Sequence, residues 1–156
     1  MKQKPWKTYA FWIFLTEAIG ALSGWLTSGA MKDYAAIRPP FSPPGFVFPI
    51  VWTILFVLMG VGAARIDLSD PSKARSCGLK IYFVQLLVNF FWGPIFFQMQ
   101  AYGFALIWLC LLWILILWMI LTFRKVDKTA ARLQIPYLLW VTFAGYLNAA
   151  VWFLNR

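Results

Sequence analysis

Apolar residues run almost unbroken through five stretches of this chain, with polar residues gathered between them. The stretches are roughly Thr8–Ser28, Phe46–Arg65, Gly78–Phe97, Tyr102–Phe123 and Ala130–Phe153. A hydrocarbon core about 30 Å thick takes about 20 apolar residues per helix, and each stretch meets that length. A transmembrane barrel would instead need segments of about 10 residues with alternating polarity. The runs are continuous, so the pattern predicts an all-α integral membrane protein, a bundle of five transmembrane helices. Only the connection between the first two runs is long, so residues 1–156 read as one membrane domain with no separate soluble unit.

That connection ends in RPPFSPPG, with Pro39, Pro40, Pro43 and Pro44 close together. Proline fixes φ near −65° and removes a backbone donor, so Arg38 to Pro44 is expected to be stiff and extended. Ser42 is then the expected N-cap of the second helix and Pro43 its first residue. A rigid connector over the end of a membrane helix points to a binding site at that mouth.

Composition agrees with the hydropathy pattern. Hydrophobic residues make up 62% of the chain and charged residues 12%, half the share of about 25% usual in soluble domains. The net charge of +9 does not indicate nucleic acid, because the cations sort by loop. Lys2, Lys4, Lys7, Arg65, Lys73, Arg75, Lys80, Arg124, Lys125, Lys128 and Arg132 fall on one side; only Lys32, Arg38 and Arg156 fall on the other. By the positive-inside rule the N-terminus is cytoplasmic, and the C-terminus and the 29–45 loop are outside. The basic start precedes no small-residue cleavage site, so the first run reads as a retained helix.

The chain has no histidine, which removes the commonest general base and metal ligand. Cys77 and Cys110 have no metal-site spacing and read as free thiols. No metal site and no obligatory cofactor are expected.

Polar and aromatic residues inside the runs form faces. Gln85, Asn89, Trp92 and Phe96 share one side of the third helix, and Tyr137, Trp140, Ala144 and Asn148 one side of the fifth. Phe48, Trp52 and Phe56 recur at four-residue spacing on the second. Amides and phenols in a bundle commonly bridge helices, the role favoured for Gln85 and Asn148. Asn89, Trp52 and Trp140 fit a pocket better, because aromatic faces with amide edges suit a flat, partly polar ligand. Glu17 lies mid-span, where a charge costs about 2.5–3.5 kcal/mol, so protonation or pairing inside the bundle is expected, in a structural or hydrogen-bonding role. Gly20 and Gly24, and Gly60 and Ala64, permit close helix approach, within the chain or between copies. Pro94 and Pro136 are expected to bend the third and fifth helices and free carbonyls that neighbours must satisfy.

Tyr34 with RPPFSPPGFVFPIVW (38–52), NFFWGPIFF (89–97) and PYLLWVTFAGYLNAAVW (136–152) resemble the TspO/MBR family. This family comprises the tryptophan-rich sensory proteins of bacteria and the mitochondrial translocator protein, once called the peripheral benzodiazepine receptor. The resemblance spans nearly the whole chain. It implies a five-helix bundle in a membrane, here a bacterial cell membrane, often as a homodimer. It also implies binding of protoporphyrin IX, haem and isoquinoline or benzodiazepine-type ligands in a cavity beneath the first connector. Carried over by position, the family's pocket residues fall on Tyr34, Trp52, Asn89, Trp140 and Ala144, with Pro43, Pro44 and Trp92 shaping the wall. The helix faces add Phe48 and Tyr137. The family's cholesterol pattern is not met, because after Tyr146 the next basic residue is Arg156.

Three functions are compatible with these residues. A receptor or sensor would stack a tetrapyrrole between Trp52 and Trp140; without histidine, haem would lack its usual axial imidazole. A porphyrin transporter would call for repeats that five spans do not divide into. A light-dependent porphyrin-degrading enzyme would use Trp52 and Trp140 as redox-active indoles.

Overall fold

A computed structural model describes residues 4–30, 34 and 38–155. Lys2, Lys32 and Arg156 of the charge pattern, and connector residues 31–33 and 35–37, lie outside the described residues. The long helices are α1 (Pro5–Thr27), α2 (Val47–Asp67), α3 (Lys73–Gly93) and α4 (Tyr102–Val126). A short α5 (Lys128–Arg132) then leads into α6 (Ile135–Leu154). Five segments are long and apolar enough to cross a membrane, the fifth comprising α5 and α6 together. Among the described residues there is no strand.

The helices pack as α1 on α2, α3 on α4, and α4 on α6, with α1 also touching α3. Between lipid-exposed helices the hydrophobic effect contributes little, so close fit and buried polar bonds must hold them. Small residues supply the fit. A Cβ on Gly60 would lie 2.6 Å from the Cα of Ile13, so the α1 and α2 backbones come this close only because Gly60 has no side chain. Gly20 likewise faces Phe56, whereas Gly24, one turn on, has nothing within 4 Å. Of that pair, Gly20 is used for packing inside the chain, and Gly24 opens onto the cavity described below.

At the end carrying the acidic loops, Asp67 accepts from the Trp12 indole at 3.0 Å and pairs with Arg75 at 2.7 Å, fastening α1, α2 and α3. Asp127 pairs with Arg65 at 2.8 Å and caps α5 through the amides of Thr129 and Ala130.

The two membrane prolines act differently. Pro94 ends α3 in a wide turn, Pro94–Gln98, and lacks the N–H that would bond the carbonyl of Phe90. Ser23 of α1 donates to that carbonyl at 2.9 Å, so the neighbouring helix satisfies it. Pro136 does not bend a helix: it sits in the first turn of α6, where its missing donor costs nothing, and a break at Leu133–Gln134 separates α6 from α5.

The connector departs from an extended strap. Pro39 to Ser42 form a turn closed by Ser42 N–H to Pro39 O at 3.2 Å, with Phe41 at φ 65°. That is the type II turn, with proline at its second position and a phenylalanine where glycine is usual. Helix α2 then starts at Val47, without a side-chain cap. Ser42 and Pro43 thus lie ahead of the helix, and the Ser42 hydroxyl is turned to Tyr34 instead, at 3.0 Å.

Candidate functional site: a cavity beneath the connector

A cavity of about 610 Å³ opens among α1, α2, α3, α6 and the connector. On α2 it is walled by Phe48, Trp52 and Phe56, on α3 by Asn89 and Trp92, on the wide turn after α3 by Phe96, and on α6 by Trp140, Ala144 and Asn148. These are three of the helix faces seen in the sequence, brought together by packing.

The rings are held against one another. Trp52 stacks on Phe56 with centroids 5.4 Å apart, and Phe48 meets Trp140 edge-on at 5.8 Å, bridging α2 and α6. Trp92 stacks on Phe96 at 5.1 Å. Tyr34 is buried at the mouth, between Phe48 on one side and Phe96 and Phe97 on the other. Burial pushes its phenol above the ordinary 10.0, although the Ser42 hydrogen bond and the Arg38 charge pull the other way, so it is neutral at physiological pH. A second tie holds the connector: Tyr146 of α6 donates to the carbonyl of Pro40 at 2.8 Å.

The tryptophans divide by what their N–H groups do. Trp12, Trp92, Trp108 and Trp113 donate to Asp67, Asn148, the Val88 carbonyl and Thr142. Trp52 and Trp140 make no such bond among the described residues, and both line the cavity. A buried indole normally finds an acceptor. Two half-buried indoles with unspent donors therefore give the cavity both stacking faces and hydrogen-bond donors.

Behind the wall runs a polar chain. Asn89 Nδ2 donates to the Tyr137 hydroxyl at 2.6 Å, and Tyr137 donates to Gln85 Oε1 at 2.7 Å. Asn148 accepts from Trp92 at 3.1 Å and donates to the Tyr102 carbonyl at 2.8 Å. These bonds orient Asn89 and Trp92 before any ligand arrives.

Seven of the ten residues expected at the site are in the wall: Tyr34, Phe48, Trp52, Asn89, Trp92, Trp140 and Ala144. Tyr137 is not. It is 1% exposed and sits one layer back, where it supports Asn89 and the edge of the Trp52 ring. Pro43 and Pro44 are also outside the wall; Gly45, next in the chain, lines it instead.

The whole α1 wall went unread in the sequence: Glu17, Gly20, Ala21, Ser23, Gly24 and Thr27. Their three- and four-residue spacing marks one helix face, but small residues on a membrane helix read first as packing. Among the described residues no cluster of histidine, cysteine or carboxylates has the makings of a metal site.

The sequence profile of the TspO/MBR family matches residues 12–153. A tryptophan-rich protein TspO of Chlorobaculum tepidum is 37% identical over 151 residues, covering 95% of this chain and 96% of the relative. A tryptophan-rich sensory protein of Cereibacter sphaeroides is 32% identical over 149 residues, 92% of each chain. The translocator protein of Homo sapiens is 31% identical over 153 residues, covering 95% of this chain and 90% of its own.

Proposed function

The chain belongs to the TspO/MBR family of integral membrane proteins, and from that premise we propose that it is a membrane receptor for flat, largely apolar ligands. Tetrapyrroles such as protoporphyrin IX are the first class, and isoquinoline or benzodiazepine-type aromatics the second. The sensory and translocator names of its relatives agree with a ligand-responsive role. The observation that carries the reading is the pair of cavity tryptophans, Trp52 on α2 and Trp140 on α6, whose indole N–H groups meet no acceptor among the described residues. A macrocycle against them gains stacking, and its polar edge gains donors. The volume of about 610 Å³ lies within the range of sites that enclose a drug-sized or cofactor-sized molecule. Haem, lacking an imidazole to ligate it here, is held as a flat ring rather than through its iron.

The charge bias orients the molecule with Lys4, Lys7, Arg65, Lys73, Arg124 and Lys128 at the cytoplasmic face. The cavity mouth and Tyr34 then face outward.

Titration of purified protein with protoporphyrin IX, followed by tryptophan quenching, tests the reading. Replacing both Trp52 and Trp140 by alanine is expected to weaken binding about tenfold or more, at roughly 1 kcal/mol per lost aromatic contact. Unchanged affinity in a folded double variant overturns the site.

A further inference from the structure

The α1 face of the cavity carries its one carboxylate among the described residues. Glu17 lies ten residues before Thr27, and both line the cavity, so the acid sits about 15 Å deeper along the α1 axis. Gly20, one turn above it, packs on Phe56, so Glu17 lies about 4.5 Å deeper than the Phe56 ring of the Trp52–Phe56 stack. Its Oε1 is shielded from water and has no hydrogen-bond partner, and neither ion pair among the described residues involves it. Asp67 and Asp127, by contrast, are fully engaged by arginines and backbone amides.

A helix-bridging role for Glu17 would require a hydrogen bond to a neighbouring helix, and among the described residues its Oε1 makes none. The nearest functional description is an acceptor left open beside aromatic faces. We infer that the cavity floor is a subsite for a protonated amine: Glu17 takes the ammonium N–H, and the faces of Phe56 and Trp52 favour the positive charge by cation–π attraction. In a water-poor cavity both attractions are stronger than at a surface. The matching ligand class is a flat aromatic bearing a basic amine. This subsite shares the cavity with the proposed tetrapyrrole site but does not depend on tetrapyrrole binding.

The probes are 9-aminoacridine, charged at neutral pH, and acridine, nearly the same shape and neutral there. Wild-type protein in detergent is expected to bind the amine about tenfold more tightly, and Glu17→Gln to bring the two within about twofold. Equal affinities in wild type, or an undiminished preference in Glu17→Gln, overturn the subsite. A readout on unmodified protein guards against misfolding of the variant: labelling of Glu17 by dicyclohexylcarbodiimide, read by mass spectrometry. Protection by 9-aminoacridine but not by acridine supports the assignment, and equal labelling with either overturns it. Failure of protoporphyrin to bind wild type would count against the tetrapyrrole reading alone.

Discussion

Asn89 of α3 donates to the hydroxyl of Tyr137 of α6 across 2.6 Å, immediately behind the cavity wall. Tyr137 in turn donates a hydrogen bond to Gln85 Oε1, so one phenol in the bundle interior ties two amides of α3 to the helix that carries Trp140. Tyr137 and Gln85 are fully buried behind the wall, so water does not replace a lost bond between them.

Tyr137→Phe should therefore strand the Asn89 amide and the Gln85 carbonyl together. The expected cost is about 1–2 kcal/mol, the scale of buried interhelical hydrogen bonds in membranes. Thermal unfolding in detergent checks it. A loosened Asn89 should also weaken protoporphyrin binding, although Tyr137 does not touch the cavity.

Ser23→Ala removes the donor that serves the Phe90 carbonyl opposite Pro94. The ring at Pro94 prevents any helical replacement, so a loss of about 1 kcal/mol is expected. Pro94→Ala in the same background should recover most of it by restoring the helical N–H. A double-mutant cycle on unfolding measures the coupling, and additive effects would argue against it.

Gly60 and Gly24 should respond to alanine with opposite signs. At Gly60 the added methyl meets the Ile13 backbone at 2.6 Å, which α1 relieves only by moving away. A loss of about 2 kcal/mol or more is expected, as for other overpacked sites. At Gly24 nothing lies within 4 Å, and alanine is better than glycine in a helix by about 0.8–1.0 kcal/mol. Melting temperatures of the two variants should fall and rise respectively.

Asp127 supplies a pH dependence. Burial raises its pKa, but the Arg65 hydrogen bond and the amides of Ala130 and Thr129 outweigh that and leave it below the ordinary 3.8. A carboxylate depressed in the folded state stabilises it above the unfolded pKa and loses that contribution as pH falls through the folded value. Wild type and Asp127→Asn should thus differ most at neutral pH and converge below about pH 4. Unfolding midpoints across pH 3 to 7 measure the convergence.

The sequence was legible where one physical cause dominates. Span number and approximate position follow from hydrophobic length alone, and the predicted ends fall within a few residues for α1, α2 and α4. The fifth span differs near its start: a proline within a hydrophobic run predicts a kink, but the break at Leu133–Gln134 puts Pro136 in a first turn. The connector was misread for a related reason: proline fixes its own φ but not that of Phe41, and the left-handed value there folds the strap back. Tyr137 was assigned to the pocket because its face is the face of Trp140 and Ala144. A face spans about 100° of helix, and only the position of α3 decides which part of it meets the cavity and which meets Gln85.

By itself the sequence determined that this chain crosses a membrane five times and that aromatic and amide residues share helix faces, because hydropathy and helical periodicity are local properties of the chain. Its motifs determined the family. Tertiary structure alone decided that α1 is a cavity wall, that Ser23 serves the carbonyl freed by Pro94, and that the indole N–H groups of Trp52 and Trp140 meet no acceptor among the described residues while those of Trp12, Trp92, Trp108 and Trp113 do. Each of these depends on what stands opposite a side chain across a helix–helix contact, and in a bilayer that choice is made by shape and hydrogen bonding between segments far apart in the chain, which no local pattern encodes.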